Sequence, residues 1–191
     1  MDFDIAAIRA SIIARLEFPN FSVLPYRSKR SGKADQTSQF VLAFKEGVES
    51  AVQIAIQVVG DELEKKQGRL LSDISHIVCA PPHKKGFASA SSEFFCEQVA
   101  KRFSLTHMPR ALERTKSVPK AAYAPPGQRP TYGDHLDSIR YAGPAIALSG
   151  RGILLFDDVL TSGDTSDACR DILIAATRCK VVVGLFLART Q

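Results

Sequence analysis

Four short stretches of the chain are apolar throughout, with no alternation: Ile77–Ala80, Ala145–Leu148, Ile153–Phe156 and Val181–Leu187. A strand covered on one face alternates apolar with polar residues, whereas a strand covered on both faces does not. These runs therefore predict strands of a parallel sheet lying between helices. Between them the period lengthens to that of a helix. Phe87–Phe103 offers Phe94, Phe95, Val99 and Phe103 as a core face, and Thr165–Arg178 offers Ala168, Cys169, Ile172, Leu173 and Ala176. Strands alternating with helices predict an α/β fold, a parallel sheet flanked by helices.

The first 75 residues read differently. Met1–Leu16 carries Ile5, Ile8, Ile12 and Leu16 at helical spacing, and its Asp2, Asp4 and Arg9 do not suit a signal peptide. A polar loop, Tyr26–Gln39, leads to a short strand at Phe40–Phe44 and a helix at about Gly47–Lys66. Residues 1–75 are thus expected to form a small hood-like lobe packed on a core of residues 76–191. Arg114–Tyr132, with Pro119, Pro125, Pro126 and Pro130, reads as a long loop, and long loops in compact domains tend to be functional or disordered.

Composition adds limits. The chain has 191 residues, 45% hydrophobic and 24% charged, and no apolar run long enough to span a membrane. Cys79, Cys96, Cys169 and Cys179 are widely spaced, which predicts buried free thiols in a reducing cytoplasm and no zinc site. His76, His83, His107 and His135 lack metal-ligand spacing and are read as packing or surface residues. The net charge is +5, but it is local. Between residues 101 and 132, seven basic side chains face one acid, Glu113, a net of +6, which leaves the rest of the chain at −1. Such a patch suits a polyphosphate or a nucleic acid backbone; no aromatic platform accompanies it.

The most informative segment is Ile153–Thr165, Ile-Leu-Leu-Phe-Asp-Asp-Val-Leu-Thr-Ser-Gly-Asp-Thr. Two acids follow four apolar residues, a place where burying charge is costly. A polar turn follows, with Gly163 permitting a tight bend and a helix starting directly after it. Ligands of open parallel sheets bind beyond the carboxyl ends of the strands. Thr161, Ser162 and Thr165 offer hydroxyls to a phosphate, while Asp157 and Asp158 can accept from vicinal sugar hydroxyls. Phosphate cradle and diol acceptor together describe a ribose 5-phosphate. The plainer alternative is a capped helix with Asp164 as N-cap and Asp167 in the capping box. Neither a Walker A pattern nor G-x-G-x-x-G is present.

This segment resembles the 5-phosphoribosyl-1-pyrophosphate motif of type I phosphoribosyltransferases. The resemblance implies that Asp157 and Asp158 bind the ribose hydroxyls and that Thr161, Ser162, Gly163, Asp164 and Thr165 hold the 5-phosphate. Cys79–Phe87 is similar to the family's pyrophosphate loop, which places Pro82, His83, Lys84 and Lys85 against the leaving pyrophosphate. Arg114–Tyr132 falls where the family has a mobile loop, here carrying Arg114, Lys116, Lys120 and Arg129. The Lys-Lys-Gly-Phe loop followed by an Arg-rich segment is most similar to the ComF-like, competence-associated branch, and Tyr26-Arg27 and Phe44–Gly47 fit that branch's hood more loosely. Its N-terminal zinc module has no counterpart in this sequence.

The resemblance implies a cytoplasmic transferase. It would bind 5-phosphoribosyl-1-pyrophosphate and Mg²⁺, the metal held mainly through ligand and water, and pass the phosphoribosyl group to a small-molecule base or amine, with Lys84, Lys85, Asp157 and Asp158 catalytic. A homodimer is left open. Thr161 stands where some 6-oxopurine enzymes of the family have an aspartate, which counts against such acceptors. Two other classes stay in view: a non-catalytic sensor of the same ligand, and a nucleic-acid-binding protein using residues 101–132.

Overall fold

The structure, a computed structural model, describes residues 3–12, 15–17, 20–27, 35–120 and 128–190. Its centre is a six-stranded sheet of order β1-β2-β8-β7-β3-β4. The strands are β1 (Arg15–Glu17), β2 (Asn20–Tyr26), β3 (Ile74–Cys79), β4 (Thr106–His107), β7 (Gly152–Leu160) and β8 (Val181–Thr190). All neighbours run parallel except β1, which pairs antiparallel with β2 at one edge. A separate two-stranded ribbon joins β5 (Leu112–Arg114) to β6 (Ile139–Tyr141). The α/β parallel-sheet architecture is therefore the one the apolar runs predict.

Both faces of the sheet are covered, which explains why its central strands do not alternate. On one face Ile77, Leu154, Phe156, Val183 and Leu185 pack with α2 (Gln36–Lys45), α3 (Glu49–Leu70) and α4 (Ala90–Phe103). On the other, Val78, Ile153, Leu155 and Val182 meet Cys169 and Leu173 of α6 (Asp164–Thr177) and the β5–β6 ribbon. Successive residues of β7 thus feed opposite cores. All four cysteines are buried and free, as expected. No described helix is long and apolar enough to cross a membrane.

Several elements differ from expectation. Phe40–Phe44 is not a strand but the body of α2, capped by Asp35, whose side chain accepts from the Ser38 N–H at 2.8 Å. Phe40, Val41 and Phe44 are buried together, a helical spacing that a five-residue apolar run conceals. The loop read at Tyr26–Gln39 is shorter, because Tyr26 ends β2 and Gln36–Gln39 lie in α2; residues 28–34 are outside the described residues. Ala145–Leu148 is not a strand either. Leu148 is buried, and its N–H donates at 2.8 Å to the carbonyl of Thr177 at the end of α6, so the stretch closes a helix terminus and not a ladder.

The opening helix, α1, covers only Ile5–Ala10, capped by Asp4. Ile8 is its buried anchor, Ile5 is exposed, and Leu16 falls in β1. On α4 Phe95 and Val99 are buried but Phe94 faces outward, and on α6 Ala176 is exposed. The first 75 residues supply β1 and β2 of the main sheet, and their Phe21, Phe40 and Phe44 share a core with Phe95 and Phe156.

Candidate functional site

The site is built where β7 outruns β3. The pairing of β3 stops at Cys79 opposite Phe156, and the Ala80 N–H closes the ladder by donating to the Phe156 carbonyl at 2.8 Å. On its other flank β7 continues beside β8, with Asp157 opposite Phe186 and Leu160 opposite Arg189. Asp157 and Asp158 therefore lie within β7, not after it, but beyond the end of β3, with one flank clear of the sheet. Both are half-buried.

The polar turn follows as expected. Gly163 has φ +97°, in the left-handed region, and serves as N-cap of α6. No side chain caps that end of the helix, so its first N–H groups face outward from a 14-residue helix. Asp164 is thus the first residue of the helix, not its cap, and the ordinary capped-helix alternative is not realised. Thr161 and Ser162 are exposed, and the Ser162 hydroxyl donates to the Asp164 carboxylate. Thr165 is half-buried, its Oγ1 3.2 Å from His135 Nε2.

Phe156 roots the acid pair. Its ring stacks on Phe95 at 4.1 Å and meets Phe44 edge-on at 6.0 Å. Because Phe44 is fixed there, the next residue, Lys45 at the end of α2, is carried to Asp158, with Nζ 3.0 Å from Oδ1. Burial acts to lower the pKa of the Lys45 ammonium, but Asp158, and Asp157 behind it, outweigh burial and raise it. Asp157 is pushed up to about 7, by burial first and by the charge of Asp158 second, with Lys45 and Arg114 opposing. At neutral pH Asp157 is thus divided between its acid and carboxylate forms.

The loop after β3 supplies the cationic side. Lys84 and Lys85 are exposed, Lys84 lying over the Phe87 ring at 5.4 Å, and Gly86 turns the chain at φ +75°. The His83 imidazole is held below its ordinary pKa, by burial first and then by the positive charges of Lys120, Lys84, Arg114 and Lys45. Four cations around one imidazole suit an anion of high charge. The next segment clasps the loop. The Lys85 N–H donates to Ser117 Oγ at 3.0 Å, and the Val118 N–H donates to the His83 carbonyl at 2.9 Å.

Arg114 is corrected most strongly. It is not the start of a mobile loop but the last residue of β5, 5% exposed. Its guanidinium reaches the Pro82 carbonyl at 3.2 Å, Ser138 Oγ, and His135 Nδ1 at 2.8 Å. Lys116, Lys120 and Arg129 are exposed, Tyr132 begins α5 (Tyr132–Ser138), and residues 121–127 of the expected loop lie outside the described residues.

Lys45, Arg114 as a buried anchor, and His135 were not read from the sequence as site components. The only advance signal was the loose hood resemblance at Phe44–Gly47. Among the described residues no three or more His, Cys, Asp or Glu are grouped to hold a metal ion.

No protein-family model matches the chain, and no curated protein matches it in sequence. Solved structures do. Adenine phosphoribosyltransferase from Saccharomyces cerevisiae is 13% identical with a TM-score of 0.48, over 97% of this chain and 87% of that one. The adenine enzyme from Thermoanaerobacter pseudethanolicus is 16% identical with a TM-score of 0.45, over 97% and 88%. A hypoxanthine phosphoribosyltransferase from Staphylococcus aureus is 14% identical with a TM-score of 0.44, over 71% and 63%. A likeness of this degree is one of outline and says nothing of activity.

Proposed function

We propose that the chain binds 5-phosphoribosyl-1-pyrophosphate with Mg²⁺ across the carboxyl edge of the sheet and transfers its phosphoribosyl group to a base or amine, releasing pyrophosphate. The observation that carries this reading is the β7–α6 junction. It sets two half-buried carboxylates, clear of β3, directly before a glycine turn and an uncapped helix N-terminus.

Each part has one use. Asp157 and Asp158 accept from the ribose hydroxyls, and in its protonated form Asp157 can also donate. Residues 161–165 receive the 5-phosphate through hydroxyls and helix N–H groups. Lys84 and Lys85 meet the charge that develops as the bond from the anomeric carbon to the pyrophosphate oxygen breaks and the acceptor's lone pair forms the new bond. Asp157 and Asp158 fit Mg²⁺ only by accepting hydrogen bonds from the water it keeps, with the ligand supplying the rest, since among the described residues no third acidic group joins them. A bound Mg²⁺ would supply positive charge to the departing pyrophosphate. The mobile loop that the resemblance places after β5 would close over the ligand; the Ser117 and Val118 bonds to the loop after β3 already tie the two segments. The sequence of the Lys-Lys-Gly-Phe loop and the basic segment after it supports a ComF-like affinity.

One observation favours a second reading, a non-catalytic sensor. The Lys85 N–H is already occupied by Ser117 Oγ, so pyrophosphate would have to displace that bond to use it. The test of binding is calorimetric titration with donor and Mg²⁺. Asp158→Asn should weaken binding by about 1.5–3 kcal/mol, roughly 10- to 100-fold, through loss of charge-assisted bonds. Unchanged affinity would remove the reading. Pyrophosphate release, assayed with a panel of bases and amines, then identifies the acceptor.

A further inference from the structure

Arg114 is a buried cation whose guanidinium donates to Pro82, Ser138 and His135 and, among the described residues, to no carboxylate. It lies between the two halves of the site, bonded to Pro82 of the pyrophosphate loop and, through His135, connected to Thr165 of the phosphate turn. The direction of every bond in this chain follows from one fact: a guanidinium donates and never accepts. His135 Nδ1, 2.8 Å from the Arg114 Nη2, must therefore be the acceptor and carry no proton. A neutral imidazole without a proton on Nδ1 has it on Nε2. Nε2, 3.2 Å from Thr165 Oγ1, must then donate, and Thr165 must accept. The proton of the Thr165 hydroxyl is left free to point elsewhere.

We propose that Arg114 and His135 are positioning residues. Arg114 fixes His135 as the neutral Nε2–H tautomer, which holds Thr165 as an acceptor and so turns the Thr165 hydroxyl proton toward the phosphate of a bound ribose phosphate. The tautomer part stands on geometry alone; the phosphate part rests on the proposed function. The groups facing the ring agree with it. Burial first, then the Arg114 charge, depress the His135 pKa, and Asp134 of α5 and Asp164 of α6 oppose without reversing the shift. Acid has a defined effect. A protonated ring presents N–H toward Arg114, donor against donor, so the relay is intact above the ordinary histidine pKa of about 6.5 and fails as pH drops below the depressed value.

The first measurement is a long-range proton–nitrogen correlation spectrum of the ¹⁵N-labelled, ligand-free full chain at pH 7.5, with the His135 ring assigned by its loss in His135→Gln. The expected result is a neutral ring with the proton on Nε2. A proton on Nδ1, or a charged ring, overturns the relay whether or not the donor binds, so this failure is distinct from failure of the functional reading. The second is titration with ribose 5-phosphate at pH 7.5 and at the acid pH where the same spectrum shows the His135 ring protonated. His135→Leu should weaken binding at pH 7.5 by about tenfold, the effect of one hydrogen bond, while His135→Gln, whose amide can accept from Arg114 or donate to Thr165, should recover part of the loss. Wild type should lose about tenfold more affinity on acidification than His135→Gln, which has no ring to protonate. Equal acid losses in the two proteins, with wild type binding normally at pH 7.5, would overturn the positioning role.

Discussion

Asp157 and Asp158 are neighbours in sequence with different surroundings. Asp158 takes the ion pair with Lys45, whereas Asp157 feels Lys45 and Arg114 only through space and is pushed up to about 7. The folded protein therefore keeps a proton on Asp157 between about pH 4 and 7, where the unfolded chain has lost it. For this group folding is unpenalised below about pH 4 and progressively penalised as pH rises to about 7. Asp157→Asn should leave stability unchanged near pH 4 and raise it by ~2–4 kcal/mol at pH 8, while weakening donor binding. Denaturant unfolding of both proteins at the two pH values checks this; equal effects at both would show that Asp157 is not buried at a cost. The acids and the turn after them were legible in sequence because they are contiguous. Lys45, Arg114 and His135 were not, because three separate elements bring them in. His135 in particular reads as a packing residue until Arg114, 21 positions away, is seen against it.

At the scale of elements, the apolar runs were legible as buried, but not always as strands. The runs at Ile77, Ile153 and Val181 are strands covered on both faces. Phe40–Phe44 and Ala145–Leu148 are equally apolar and of similar length, and runs of four or five apolar residues do not separate strand, helix and buried turn. The ribbon of β5 and β6 was missed because each strand has three residues and its pairing spans 25 or more positions. The ribbon changes an expectation about proteolysis. A loop beginning at Arg114 would be cut there, but Arg114 is buried and held in β5. Trypsin should instead cleave ligand-free protein after Lys116 or Lys120, both exposed, and spare Arg114; Arg129 precedes Pro130 and is no trypsin site. Mass spectrometry of the fragments locates the cuts. Protection of these sites by donor and Mg²⁺ supports closure of the segment that carries them over the ligand; equal cleavage with and without them makes the segment a passive connection.

Over the whole molecule, the sheet edge gathers two opposed fields: acids on β7 and cations from the loop after β3, from β5 and from α2. An enzyme and a sensor could both use this arrangement, because fold does not decide function. They differ in what the lysines must do. A sensor requires only ground-state affinity, so Lys84 or Lys85 would contribute to binding and to nothing further. An enzyme gains only from interactions stronger in the transition state, where charge accumulates on the departing pyrophosphate. Both side chains are exposed in the ligand-free protein, so replacing either should leave the fold intact. For an enzyme, Lys85→Ala or Lys84→Ala should lower single-turnover pyrophosphate release at saturating donor by about 10- to 100-fold, and donor affinity by less. Donor hydrolysis is an adequate readout before the acceptor is known, since it breaks the same bond. Rate and affinity falling in equal proportion would reduce the lysines to uniform binding. Tight donor binding by the wild type, with no release above background for any base or amine, would make the protein a sensor.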